Sequence, residues 1–432
     1  MSFARVRLPD YPGSEGAAPA TATARYFDAA QGANSNDLVR RALAGNVELA
    51  AARLDIERAR ARLRQAGLRP NPAIEFEQTT GRLTGSAGER DTTIGFALPL
   101  ELGGKRQRRI DVARAELEAA EAEVADRERR LAAEVRTAYA VATAALRELE
   151  TTESLNNVDL QTARVIEARV IEGESAPLEL NLLRVEVDRL RSRRALVEGR
   201  LQTALLRLKT LAGIPPAEPL RLSEDLAAPL IPEPPPSLDA AVDIALRTRP
   251  DLRLARLTEE VAQAGLRLAH SQALPDVTAI GRYSLSHSVT DLPPPLAPFP
   301  DRDHLLTFGV SIGIPVFNRN QGARADAAAA IAQTRKRREF LETVVRSEVA
   351  SAFARYEAAG SALATFEQGV LARSMQNIIS IRGAYEIGAF RVTDLLVEQR
   401  RFVDSQREFI EALAERYQAL ADLQAAIGAP VQ

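Results

Sequence analysis

The sequence predicts a mainly α protein with a small β part, in which a helix–β-hairpin–long helix–helix unit occurs twice. Three observations carry that expectation. The two halves of the 432-residue chain align with each other. Proline-free stretches run too long for a compact core. Short segments alternate strictly between apolar and small or polar residues.

The alignment fixes the order of the elements. Asn46–Leu54 matches Arg249–Leu257 at an offset of 203, which persists to Pro72 and Pro275. Ile94–Pro99 matches Val310–Pro315 at 216, and Gly173 with Gly388 and Gly213 with Gly428 continue at 215. A longer loop between Ser288 and Asp303 accounts for the change. A repeat of this length is a pseudo-symmetric duplication and not a short-period solenoid. Residues 1–33 are expected to be unstructured, with a first repeat at 34–213 (hairpin about 71–102). A Pro-rich linker at 214–236 is expected to run over the surface, before a second repeat at 237–428 (hairpin about 275–316).

Each repeat opens with a short amphipathic helix, Asp37–Ala44 or Leu238–Arg247. A helix of moderate length follows, ending before Asn71-Pro72 or Leu274-Pro275. The strands come next. Leu306, Phe308, Val310, Ile312 and Ile314 alternate with Thr307, Gly309, Ser311 and Gly313, and Ile94, Phe96, Leu98 and Leu100 follow the same period of two. The partner segments Ala73–Leu83 and Val277–Ser288 are more polar. A half-buried soluble sheet also alternates, but two features favour staves of a membrane barrel. The intervening residues are small or polar, as a wet lumen requires, and the flanking helices are too long to cover a compact sheet. Phe308, Val310 and Ile312 are then expected to face lipid, with Thr307, Gly309 and Ser311 toward the lumen. Four strands cannot close a barrel of useful bore, and open edges in lipid leave backbone groups unsatisfied. Three chains supply twelve strands, so the expected assembly is a trimer with a 12-stranded transmembrane β-barrel.

The long helices set a length scale. Gly103–Glu172 holds 70 residues without proline, about 105 Å if continuous. Gly322–Ile387 holds 66, about 99 Å. Ala113, Leu117, Ala120, Val124, Leu131, Val135, Ala138, Ala142 and Leu149 form a seam at mixed three-and-four spacing, with Arg114, Glu118, Glu121, Arg129 and Glu134 assigned to the outward faces. The seam residues pack and bind nothing. Each half ends in a further long helix capped by Gly213 or Gly428.

Composition excludes several classes. Lys+Arg is 56 against Asp+Glu 58, a net charge of −2 that gives no support to nucleic-acid binding. There is no Cys, and His270, His287 and His304 lie in separate segments without ligand spacing, so neither a metal site nor a cofactor is expected. No glycine-rich phosphate loop or nucleophile elbow occurs, so the chain is not expected to be an enzyme. No apolar stretch is long enough for a transmembrane helix, and the first 33 residues show no apolar core of a secretion signal.

With this order of elements over Asn36–Gly428, the chain resembles the TolC-type outer membrane efflux proteins. Leu98-Pro99-Leu100-Glu101-Leu102-Gly103-Gly104-Lys105-Arg106 and Ile314-Pro315-Val316-Phe317-Asn318-Arg319-Asn320-Gln321-Gly322 are similar to the strand-to-helix junctions of its heavy-metal branch. The resemblance implies a homotrimeric α-helical barrel continued by the β-barrel in the outer membrane of a Gram-negative bacterium, with the helical part in the periplasm. It implies a passive conduit for cations such as cobalt, zinc or cadmium, working with a periplasmic adaptor and an inner membrane RND-type transporter. A drug or organic-solute duct of the same family is the alternative, with a periplasmic coiled-coil adaptor or scaffold behind it. The turn Ile387-Gly388-Ala389-Phe390-Arg391-Val392-Thr393-Asp394 is similar to the family's periplasmic tip motif. The resemblance therefore implies that Gly173, Ile387, Gly388, Ala389 and Thr393 dock the adaptor. Glu172, Glu174, Glu386 and Asp394 are candidates for a constriction at the same ring. Family members carry a secretion signal and many a lipid-accepting Cys. Neither is visible, which places any signal upstream of this sequence and argues against a lipid anchor within it.

Overall fold

The computed structural model describes residues 23–81, 89–223, 237–290, 299–387 and 389–428. The chain divides into two compact units, one of Met1–Arg53, Glu123–Leu252 and Leu341–Gln432, the other of Leu54–Ala122 and Arg253–Phe340. The first half runs α1 (Thr23–Tyr26), α2 (Ser35–Gly45), α3 (Val47–Ala66), β1 (Ala73–Thr80), β2 (Arg90–Leu100), α4 (Lys105–Ile171) and α5 (Pro177–Ala212). The second runs α6 (Leu238–Thr248), α7 (Pro250–Gln272), β3 (Val277–Thr290), β4 (Phe299–Ile312), α8 (Gln321–Thr365), a π-helical turn (Phe366–Val370), α9 (Leu371–Glu386) and α10 (Val392–Ile427).

In the helical unit the cores are linear. The α4 seam buries Val135, Tyr139, Ala142, Leu146 and Leu149 against Val197, Leu201, Leu205 and Leu208 of α5, and Phe409, Leu413 and Tyr417 of α10 join them. Ala132, Ala138, Ala140 and Ala142 of α4 are buried in the same cluster. A smaller cluster sets Ala241 and Ala245 of α6 against Val345, Val349 and Leu423. Helix ends are satisfied by side chains. At the end of α10, Arg129 Nη1 donates to Ala425 O (2.6 Å), Arg249 Nη1 to Ala426 O (3.1 Å) and Thr248 Oγ1 to Ile427 O (2.8 Å). At the end of α5, Asn46 Nδ2 donates to Leu211 O (3.0 Å).

Four expectations are corrected here. Residues 23–33, expected to be unstructured, are ordered: Tyr26 is buried, its hydroxyl donates to Glu198 (3.1 Å), and Phe27 and Ala33 bridge to Leu222. The first part of the expected surface linker is packed for the same reason, with Ile214 and Leu222 in the core; 224–236 lies outside the described residues. Arg129, assigned to an outward face, is only 10% exposed at its side chain because Asp126 (2.7 Å) and the α10 carbonyl above take its donors. The second long helix is not regular throughout. The π turn interrupts it where Phe366 packs on Phe409, ring centroids 6.3 Å apart.

In the other unit, β1–β2–β3–β4 form one antiparallel sheet in that order. Ile94 pairs with Phe76 and Tyr283, Phe96 with Ile74 and Gly281, and Val310 with Ala279. Directly paired residues share a face of the sheet. One face therefore collects Ile74, Phe76, Ile94, Phe96, Leu98, Leu100, Val277, Tyr283, Leu285, Leu306, Phe308, Val310 and Ile312. The other collects Glu75, Glu77, Asp91, Thr93, Gly95, Thr278, Arg282, Ser284, Asp303, Thr307, Gly309 and Ser311, with Ala97, Ile280, Leu305 and Phe299 among its apolar members. Where β2 and β4 lead into helices, Gly104 (φ 69) and Asn320 (φ 58) both turn left-handed. Asn320 is held there by Nδ2 donating to Ala269 O (2.8 Å).

Candidate functional site

The sheet is the first candidate. Every residue of β1 and β4 is exposed, so neither edge strand has protein cover on either face. The two faces differ in chemistry. On the polar face Arg282 Nη2 reaches Glu75 Oε2 (3.5 Å) across Gly95, where a Cβ would stand 3.3 Å from the Glu75 side chain. On the apolar face Phe308, Val310 and Ile312 stand 79%, 66% and 52% exposed. The alternation that placed them on one face is present, and the paired strands extend it into a continuous apolar field. Among the described residues β1 and β4 have one partner strand each, so their outer edges present a row of backbone groups unpaired within the sheet.

The second candidate is the end of the helical unit at the two turns. Gly173 has φ 78 and follows α4 in a reversal where Glu174 N donates to Arg169 O (2.8 Å) and Gly173 N to Val170 O (3.2 Å). Nothing lies within 4 Å of where a Gly173 Cβ would be, so only backbone conformation restricts this position. The second turn repeats the first of these bonds, with Ala389 N donating to Ala384 O (2.8 Å), and Ile387 N donates to Gly383 O (3.3 Å) as Glu172 N does to Ala168 O (3.0 Å). Gly388 and the Glu386 side chain lie outside the described residues. Asp394 caps α10, its Oδ2 accepting from Arg391 N (3.0 Å), while Thr393 is exposed one residue before it. Under the turns, Ile166, Leu180, Leu183, Val392 and Leu396 form one cluster. The structure thus brings Gly173, Ile387, Ala389 and Thr393 to the same end of four packed helices. Glu172 and Glu174 are exposed there, beside the exposed apolar residues Ile171, Leu178, Ile387 and Phe390.

Two features escaped sequence reasoning. Asp159 on α4 is buried, and Gln399 Nε2 of α10 donates to its Oδ1 (2.9 Å). Burial, with the Glu186 carboxylate adding to it, pushes the Asp159 carboxyl up to about 6, against the opposing hydrogen bond from Gln399. It borders a groove of about 290 Å³ lined by Arg189, Arg193, Arg400 and Asp404. The second feature is the pairing of the scattered histidines. Tyr283 and His304 meet at 2.5 Å, and Arg302 Nε donates to His287 Nδ1 (3.3 Å). Among the described residues no group of His and carboxylates is arranged to hold a metal, and no helix is long and apolar enough to cross a membrane.

Comparison with known proteins sets this geometry in context. Residues 38–214 and 241–429 each match the family described as outer membrane efflux protein. The cobalt-zinc-cadmium resistance protein CzcC of Cupriavidus metallidurans is 26% identical over 366 residues, 83% of this chain and 81% of that protein. The nickel-cobalt-cadmium resistance protein NccC of Alcaligenes xylosoxydans xylosoxydans is 32% identical over 156 residues, 34% of each. Among solved structures, CusC matches with TM-score 0.76 at 22% identity over 94% of this chain and 96% of that one. The outer membrane protein VceC of Vibrio cholerae matches with TM-score 0.71 at 20% identity, covering 92% and 97%.

Proposed function

From the premise that the chain belongs to the outer membrane efflux protein family, we propose that it is a trimeric outer membrane duct of a tripartite export system. The observation that carries this reading is the sheet: a face that is mainly apolar from Ile312 to Leu306, a more polar face, and two edge strands without a second described partner. Three copies joined edge to edge give a 12-stranded barrel with Phe308, Val310 and Ile312 toward lipid. Joining removes the unpaired backbone groups that hydrocarbon does not tolerate. The two separate family matches support an internal duplication, so a trimer presents six helical hairpin turns.

The cargo we propose is heavy-metal cations such as cobalt, zinc or cadmium. The support is the likeness to proteins named for resistance to those metals. The duct is passive: an inner membrane RND-type transporter drives export, and a periplasmic adaptor joins the two. Gly173, Ile387, Gly388, Ala389 and Thr393 form the docking tip. Glu172, Glu174, Glu386 and Asp394 bias it toward cations.

The decisive measurement is mass in detergent. The purified protein is expected as a trimer, and a monodisperse monomer in water without detergent excludes the duct. Complementation of a metal-sensitive host lacking its own duct tests the cargo. Gly388→Val or Thr393→Lys is expected to leave the trimer intact and abolish export. A Cys introduced at position 389 then cross-links to the adaptor in the parent and not in either variant. Cross-linking and export that survive both changes make the tip a mere turn.

A further inference from the structure

The apolar face of the sheet gives way to a row of two arginines and a histidine. Arg90 of β2, His287 of β3 and Arg302 of β4 stand directly opposite one another in register, at the end of the sheet nearest the loops. They share the face of Phe308 and Val310. One step nearer the apolar field come Thr92, Leu285 and His304, again in register, with His304 bonded to Tyr283. No strand residue of this face is a carboxylate, whereas Glu75, Glu77, Asp91, Asp301 and Asp303 all stand on the opposite face. The charges are therefore sorted by face as well as by height.

The height is informative. From Ile312 to Arg302 is ten residues of extended strand, about 34 Å. Tilted as barrel strands are, at 35–45°, this spans about 24–28 Å along the membrane normal, against an apolar band about 25 Å tall. The Arg90–His287–Arg302 row thus falls where the hydrocarbon ends and headgroups begin. Tyr283 and His304 sit just inside it, at the depth where amphipathic rings collect.

We propose that Arg90, His287 and Arg302 form a contact line for the phosphates of anionic lipid headgroups in the outer leaflet. The inference rests on the membrane reading above. Guanidinium groups match phosphate oxygens in pairs. The Nε bond from Arg302 to His287 holds that guanidinium along the row and leaves its terminal nitrogens as the remaining donors. A lumen-facing cation does not meet headgroups, so Arg282 on the opposite face serves as control.

The trimer is inserted into vesicles of equal parts phosphatidylcholine and phosphatidylglycerol, extracted in mild detergent, and its bound lipid quantified. Phosphatidylglycerol is expected to be enriched over phosphatidylcholine on the parent protein. In the double variant Arg90→Gln/Arg302→Gln the enrichment falls by on the order of tenfold, while Arg282→Gln keeps it. Arg90→Lys/Arg302→Lys restores much of it, which separates loss of charge from loss of fold. Equal retention of both lipids by the parent, or enrichment that survives the double Gln change, overturns the proposal and leaves the duct intact. Failure of the parent to insert into any vesicle overturns the membrane reading and this inference with it.

Discussion

The sheet and the four-helix region around Asp159 treat polar groups in opposite ways. In the sheet little is enclosed: the edge strands are exposed along their whole length, only Gly95 of β2 is buried among the described strand residues, and polar and apolar side chains are sorted onto two faces. In the helical region Asp159 and Gln399 are buried together, with Leu155, Val158, Leu190, Ile378, Leu395 and Phe402 forming the core at the same level. The helical region finds its partners within one chain. The sheet leaves both edges without a second described strand, and on the duct reading proposed above its partners are lipid, water and strands of other copies.

The largest effect that sharpens this contrast is expected in the helices. Phe409 is fully buried between α4, α5 and the π turn. Phe409→Ala removes that core at a cost of about 3–5 kcal/mol, readable as a fall in thermal midpoint of the detergent-solubilised protein. The exposed Phe308, equally large, has no core to lose. Phe308→Ala leaving the midpoint unchanged while Phe409→Ala lowers it supports the contrast; equal losses break it.

Charge tests the sheet directly. Val310→Arg puts a cation on the apolar face, at about 2–4 kcal/mol if that face meets the middle of a bilayer. Ser311→Arg puts the same cation on the polar face. Insertion into vesicles is expected to collapse for the first and persist for the second. Similar yields from both mean that the two faces are not lipid and lumen.

Asp159 provides a pH test of the helical region. Its carboxyl is raised to about 6 from 3.8, chiefly by burial. Between those values the folded chain holds more protons than the unfolded one, so stability falls as pH rises through that window, and the deficit persists above it. Asp159→Asn keeps an acceptor for Gln399 and removes the charge. It is expected to stabilise the protein by up to about 3 kcal/mol at pH 7 and to change little near pH 3.5. Denaturation at the two pH values decides it. A destabilising effect at pH 7 shows that the folded chain favours the charged form, against the effect of burial.

Legibility in the sequence followed the range of the interactions. The alternation in β4 is local, since side chains change face at every residue, so Phe308, Val310 and Ile312 were readable without any partner. The helix stops at Gly213 and Gly428 were readable because a left-handed cap has its own residue preference. Arg129 was misassigned because its acceptors belong to residues 425 and 126, only one of them near in sequence. Asp159 was invisible because Gln399 lies 240 residues away. The Arg90–His287–Arg302 row needed a register across three strands that no single segment contains. The π turn has no sequence signal that distinguishes Phe366–Val370 from regular helix.

The smallest effect tests the junction where strand passes into helix, at two adjacent glycines. Gly103 and Gly104 have nearly the same left-handed backbone, φ 70 and 69. Their surroundings differ. A Cβ on Gly103 would stand 2.5 Å from Leu274 Cδ1, whereas nothing lies within 4 Å of one on Gly104. The sequence offset of 216 pairs Gly104 with Asn320, which adopts the same conformation with a side chain in place. Asn tolerates the left-handed region better than other side chains because its amide bonds locally. Gly104→Asn is therefore expected to cost less than about 1 kcal/mol, the backbone term alone. Gly103→Asn has the same backbone term and must also displace Leu274, at about 1–3 kcal/mol more. Thermal midpoints of the two variants measure the difference. If Gly104→Asn is the more damaging, the junctions in the two halves are not equivalent, and the likeness between Gly104 and Asn320 is coincidence.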